Sequence, residues 1–117
     1  MRFGIIALIA ALAAQPAFAD GFDEVQDKNT FVSLIADRNL TRFGINVTVT
    51  PDGQIVGKAF GRAVTGAWQW SKGYFCRDLY WGERDLGPNC QAVKVQGKTV
   101  RFISDRGRGQ FADLVLK

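Results

Sequence analysis

From Ile45 to the C-terminus the chain is cut into short runs in which apolar and polar residues alternate, each run ended by residues that turn a backbone. That spacing permits little except antiparallel strands. Ile45, Val47 and Val49 alternate with Asn46, Thr48 and Thr50, a strand with one face buried. Pro51-Asp52-Gly53 reverses the chain: proline presets φ, aspartate bonds back to its own backbone, and glycine accepts positive φ. Residues 54–60 return as the partner strand, Gly61-Arg62-Ala63 turns again, and residues 64–70 make a third strand with Val64, Gly66, Trp68 and Trp70 on one face. Ser71-Lys72-Gly73 leads into a fourth, residues 74–81. Residues 82–89, with glycine, proline and charge, read as a loop. Residues 90–95 and 99–104 form a hairpin about Gln96-Gly97, residues 105–110 are a second polar loop, and residues 111–116 close the series. The expected fold is therefore mainly β, a single antiparallel meander of six to seven strands, either a twisted sheet or a partly closed barrel.

One segment departs from period two. Between residues 27 and 38, Phe31, Leu34 and Ile35 fall at i, i+3 and i+4, the apolar stripe of one short N-terminal α-helix. Asp27 or Asn29 suits its N-cap and Arg38 its C-terminal end. Such a helix would cover an open face of the sheet or plug one end.

Residues 1–19 have the pattern of a signal peptide. Arg2 supplies a positive start, residues 4–14 are uncharged and apolar, and Ala17-Phe18-Ala19 places small residues for cleavage before Asp20. Gln15-Pro16 interrupts the run well short of the roughly 20 residues a spanning helix needs, so no stable membrane anchor is expected after cleavage. The expected working protein is residues 20–117, one β-rich domain, exported by that signal. A domain this small gains from a covalent staple. Cys76 and Cys90 are the only two cysteines, and export to an oxidising compartment favours their pairing. Closing a loop of about 15 residues contributes on the order of 3 kcal/mol.

Charge and composition exclude several functions. Once Arg2 is removed, 14 basic residues face 11 acidic ones, interleaved along the chain with no run of one sign. Nucleic-acid binders gather positive charge on one face, and no nucleic acid is expected as a partner. Histidine is absent. That removes Ser-His-Asp and Cys-His catalysis, His-ligated metal sites and the usual general base near neutral pH. No cofactor and no metal are expected.

Chemistry-bearing residues are densest between Trp68 and Cys90. This stretch holds Trp68, Trp70 and Trp81, Tyr74 and Tyr80, and Arg77, Asp78, Glu83, Arg84 and Asp85. Aromatic platforms beside arginine and carboxylate groups hold sugars, peptide segments and aromatic ligands. Arg77, Tyr80, Trp81 and Arg84 are the candidate binding residues, with Trp68 and Trp70 read as core. The bland alternative is that the whole cluster is core and staple. Asp78, Glu83 and Asp85 allow an acid–base pair on paper, but Arg77 and Arg84 are placed to neutralise them, and the spacing is wrong for calcium. Asp105-Arg106-Gly107-Arg108-Gly109 offers two arginines on a glycine loop but neither phosphate-loop pattern. Gly66-Ala67-Trp68 matches the bare G-x-W of lipocalin-like barrels, where it opens the first strand; here it sits mid-chain.

Val49-Thr50-Pro51-Asp52-Gly53, Thr65-Gly66-Ala67-Trp68-Gln69-Trp70, Gly73-Tyr74-Phe75-Cys76-Arg77-Asp78 and Asp85-Leu86-Gly87-Pro88-Asn89-Cys90 together resemble a largely uncharacterised family of short exported alphaproteobacterial proteins. The likeness covers most of residues 20–117. Some members carry the name dihydrodipicolinate reductase, which implies a nicotinamide-dependent enzyme with a Rossmann domain and a catalytic histidine. In this chain Ala and Leu follow Ile5-Ile6 where glycines would approach a pyrophosphate, no βαβ pattern follows, and there is no histidine. The resemblance implies a diderm bacterial host and hence the periplasm as the place of action. The sequence thus points to an exported, non-catalytic binding or interaction module whose partner is an unknown protein or small ligand. A small periplasmic inhibitor of a hydrolase is the alternative of the same kind. An enzyme, carboxylate-based or the named reductase, is the alternative of another class. Oligomeric state is not legible.

Overall fold

The computed structural model describes residues 21–117; the signal-peptide reading of residues 1–19 lies outside the described residues. The strands are β1 (Asp23–Val25), β2 (Leu40–Arg42), β3 (Ile45–Val49), β4 (Gln54–Ala59), β5 (Arg62–Ser71), β6 (Tyr74–Trp81), β7 (Arg84–Asp85), β8 (Asn89–Gln96), β9 (Thr99–Ile103) and β10 (Phe111–Leu116), with one regular helix, α1 (Lys28–Ile35), and a four-residue helical turn at Ser104–Gly107 that is left-handed at Asp105 and Arg106. All pairings are antiparallel. They run β2-β3-β4-β5-β6 and β8-β9-β10, β6 pairs with β8, and β10 returns to β2. Eight strands thus close into a barrel, with β1 and β7 appended to the edges of β8 and β6.

The expected count of six to seven strands is corrected to eight, and the meander, expected as a twisted sheet or a partly closed barrel, closes fully. The additional barrel strand is β2, whose three residues are too few to show alternation. It nevertheless closes the ring, through Val115↔Thr41 and Leu116↔Leu40 and a reciprocal backbone pair between Asn39 and Lys117 at 3.0 and 2.9 Å. Closure removes the unpaired edges that an open sheet would expose. The turns also shift slightly from expectation. Phe60-Gly61, rather than residues 61–63, joins β4 to β5, and the loop expected at residues 82–89 folds β7 back onto β6.

Two inner-face glycines shape the barrel. A Cβ on Gly57 would stand 2.2 Å from the Asn46 carbonyl oxygen, and one on Gly66 2.2 Å from that of Asp78. Both positions share the phase of the inward-facing residues of their strands, so they let neighbouring strands bend close while leaving interior space unfilled.

One end of the barrel is plugged by α1. Asp27 caps it, its Oδ1 accepting from the Thr30 N–H at 2.8 Å, and the stripe drives Phe31 and Ile35 fully out of solvent. The Phe31 ring lies 5.1–5.2 Å from those of Trp68, Trp70 and Phe75, within the contact range of aromatic pairs. Trp68 donates its indole N–H to the Thr50 carbonyl at 2.8 Å and Trp70 to that of Gln26 at 3.1 Å. These bonds tie the β3–β4 turn and the β1–α1 connection to the same floor.

Candidate functional site

The opposite end is open. In an up-and-down barrel alternate connections lie at the same end, which gathers the links at residues 43–44, 60–61, 82–88 and 104–110 around one mouth. Below it lies a cavity of about 530 Å³, within the roughly 300–1,000 Å³ of small-molecule sites. Its walls are apolar: Val47, Val49, Ile55, Val64, Leu79 and Leu114 among others, ending on Phe75 and Phe102. Those two rings, 5.3 Å apart, form the boundary between the packed floor and the open lumen. Small side chains at Ala59 and Ala112, with the bare Gly57 and Gly66, explain why this interior is not filled.

Phe60, Tyr80 and Leu86 stand at the mouth, all exposed. Phe60 holds φ at +50° in the tight β4–β5 turn, a region a bulky residue rarely adopts. Its ring lies over Gly44, where an added Cβ would meet it at 2.4 Å. A turn that ordinarily selects asparagine or glycine here carries an aromatic ring on the rim of a cavity.

The four candidate binding residues do not form one surface. Arg77 is half-buried and reaches into the lumen, its Nη1 donating to the Gly87 carbonyl at 2.7 Å. Burial lowers the pKa of its guanidinium, with Asp78 acting in the opposite direction. Trp81 is half-buried at the mouth, donates its N–H to the Ala59 carbonyl at 2.8 Å and carries the Arg62 guanidinium 4.8 Å from its ring. Tyr80 is on the rim, and Arg84 lies exposed on β7 and does not line the lumen. Asp78, Glu83 and Asp85 are all exposed, none lines the lumen, and Asp85 is engaged with the Gly87 N–H at 2.8 Å. Among the described residues no group of three or more His, Cys, Asp or Glu is placed to hold a metal ion. In the loop after β9, Asp105 and Asn89 clasp each other through Asn89 Nδ2–Asp105 Oδ1 at 2.8 Å and Asp105 N–Asn89 Oδ1 at 3.0 Å, fastening that loop to β8.

Cys76 and Cys90 are joined and are direct cross-strand partners where β6 meets β8. That seam is only three pairs long, Phe75↔Gln91, Cys76↔Cys90 and Arg77↔Asn89, against eight pairs between β5 and β6. Because side chains alternate, Phe75, Arg77 and Gln91 point into the lumen on either side of the disulfide. Gln91 was not singled out in the sequence. It is 9% exposed, and its amide nitrogen donates to the Ser104 hydroxyl at a long 3.4 Å. A signal for it existed: Gln91 shares period-two phase with Val93 and Val95, as Arg77 does with Phe75 and Leu79, so each breaks an apolar face.

Comparison with protein-family models, with curated proteins and with solved structures finds no match.

Proposed function

We propose that this chain is an exported, non-catalytic binding module that takes a small apolar ligand into the lumen of its barrel. The observation that carries the reading is the asymmetry of the interior: one end packed solid around Phe31, the other left as an apolar cavity of about 530 Å³ beneath an open mouth. Native interiors are ordinarily filled to crystal-like density, and an unfilled lumen in so small a domain is a cost that ligand binding would explain. Eight strands give an interior just wide enough either for packed side chains or for one small ligand, and the inner glycines and alanines favour the second outcome. The exposed Phe60, Tyr80 and Leu86 would form an apolar rim through which such a ligand passes. The disulfide is compatible with a periplasmic site of action. No step of catalysis, cofactor binding or nucleic-acid binding enters this reading.

The test is titration with N-phenyl-1-naphthylamine, a neutral apolar fluorophore. Saturable uptake at one site per molecule is expected in wild type. Ala112→Phe, which places a ring in the lumen from β10, should fold and lose that uptake. Absence of saturable uptake by the folded wild-type protein, or equal uptake by Ala112→Phe, would overturn the proposal.

A further inference from the structure

Resting on the lumen reading, we infer that the ligand is a long-chain carboxylate, an anionic amphiphile whose head group is held by Arg77 and Gln91 while its chain lies along the apolar walls. A guanidinium carries five N–H donors in a planar fork. The protein gives Arg77 one hydrogen-bond acceptor, the Gly87 carbonyl, and no carboxylate lies within ion-pair distance of it among the described residues. Its neighbour Asp78 is exposed and does not line the lumen. A half-buried cation in an apolar chamber with spare donors is matched by a planar anion able to take two parallel N–H bonds, and a carboxylate has that geometry.

Gln91 supplies the second half of the recognition. It is nine-tenths buried, its amide oxygen has no partner among the described residues, and its one bond, to Ser104, is long. Turned over, the amide accepts from the Ser104 hydroxyl and presents its two N–H donors to the lumen. Arg77 and Gln91 are diagonal neighbours across the β6–β8 seam, flanking the Cys76–Cys90 pair. The disulfide thus fixes in register the two strands that carry the head-group site, so the site is ordered before ligand arrives. A cationic amphiphile would meet repulsion from Arg77. A neutral one would leave the guanidinium desolvated and unpaired.

The experiment is calorimetric titration of the full chain, expressed for export and purified with its disulfide intact, with dodecanoate, dodecan-1-ol and dodecyltrimethylammonium below their micellar concentrations. At pH 7.5 dodecanoate should bind roughly ten- to a hundredfold more tightly than the alcohol, the range a charged hydrogen-bonded pair supplies, and the cation should bind most weakly. Arg77→Met should abolish the preference for the acid over the alcohol. The ratio in wild type decides the matter even if that variant fails to fold. Equal affinity of acid and alcohol, with both bound, would overturn the head-group inference and leave the lumen reading standing. Failure of all three to bind a protein that takes up N-phenyl-1-naphthylamine would overturn this inference alone; failure of the fluorophore as well would remove the lumen reading with it.

Discussion

The two ends of this barrel are made from the same strands and much the same residue types, yet one is a solid floor and the other an open mouth. At the floor, Phe31 brings a ring down between Trp68, Trp70 and Phe75, and the indoles of Trp68 and Trp70 are bonded to the connections that surround them. At the mouth, Trp81 is bonded in the same manner to Ala59, but among the described residues no comparable helix descends, and Phe60, Tyr80 and Leu86 remain exposed around a cavity. The difference lies in one amphipathic helix of eight residues at one end and four short connections at the other. Aromatic density alone therefore does not mark a site. An aromatic group is core where another element supplies the facing surface, and it is a rim where none does.

The largest effect should come from emptying the floor. Phe31→Ala and Trp68→Ala each remove a buried ring, and such truncations cost about 3–5 kcal/mol, so neither variant should give a cooperative melt in the far-ultraviolet at ambient temperature. Reduction of the disulfide comes next. At about 3 kcal/mol it should lower the melting temperature by more than about 10 °C, and mass spectrometry of the unreduced protein should find Cys76 linked to Cys90. Full reactivity of both thiols in the folded protein would contradict the seam as described. Trp81→Ala should be milder, about 1–2 kcal/mol from its lost hydrogen bond and its stacking with Arg62, while weakening probe uptake. A loss as great as that of Trp68→Ala would erase the contrast between the ends.

The smallest effect is acid sensitivity. The Thr30 hydrogen bonds hold the Asp27 carboxyl below its ordinary value of 3.8. Arg101, bonded to Asp113 at 2.8 and 3.0 Å, does the same on the outer wall. Both groups have folded pKa values below their unfolded ones, so their stabilisation is present above about pH 4 and fades as pH falls through the lowered values. Asp27→Asn and Asp113→Asn should each flatten part of that acid limb in a melting-temperature profile. An unchanged limb in both variants would show that neither contact matters.

The alternation of Ile45, Val47 and Val49, and of Val64, Trp68 and Trp70, is a local property, so strands, turns and the α1 stripe were legible in the chain. Closure was not. It depends on pairing such as that of Thr41 with Val115, 74 residues apart, and on a strand of three residues. Nor was the cavity legible. Period two says that an inner face is apolar, but whether it is filled depends on how Gly57, Gly66, Ala59 and Ala112 fall relative to one another after closure. Arg77 was singled out for its aromatic neighbours, and the structure places it inside the lumen, across the seam from Gln91. The more general signal was the same for both: a polar residue in the apolar phase of a strand.

The most direct test of the open lumen is a methyl-resolved nuclear magnetic resonance titration of the wild-type protein with N-phenyl-1-naphthylamine. Saturable shifts are expected in the methyl groups of Val47, Val49, Ile55 and Leu114, which line the cavity, with Ile35 and Val100 at the packed end nearly unmoved. Shifts confined to outward-facing Val56 and Val115, or none at saturating probe, would contradict a ligand site inside the barrel.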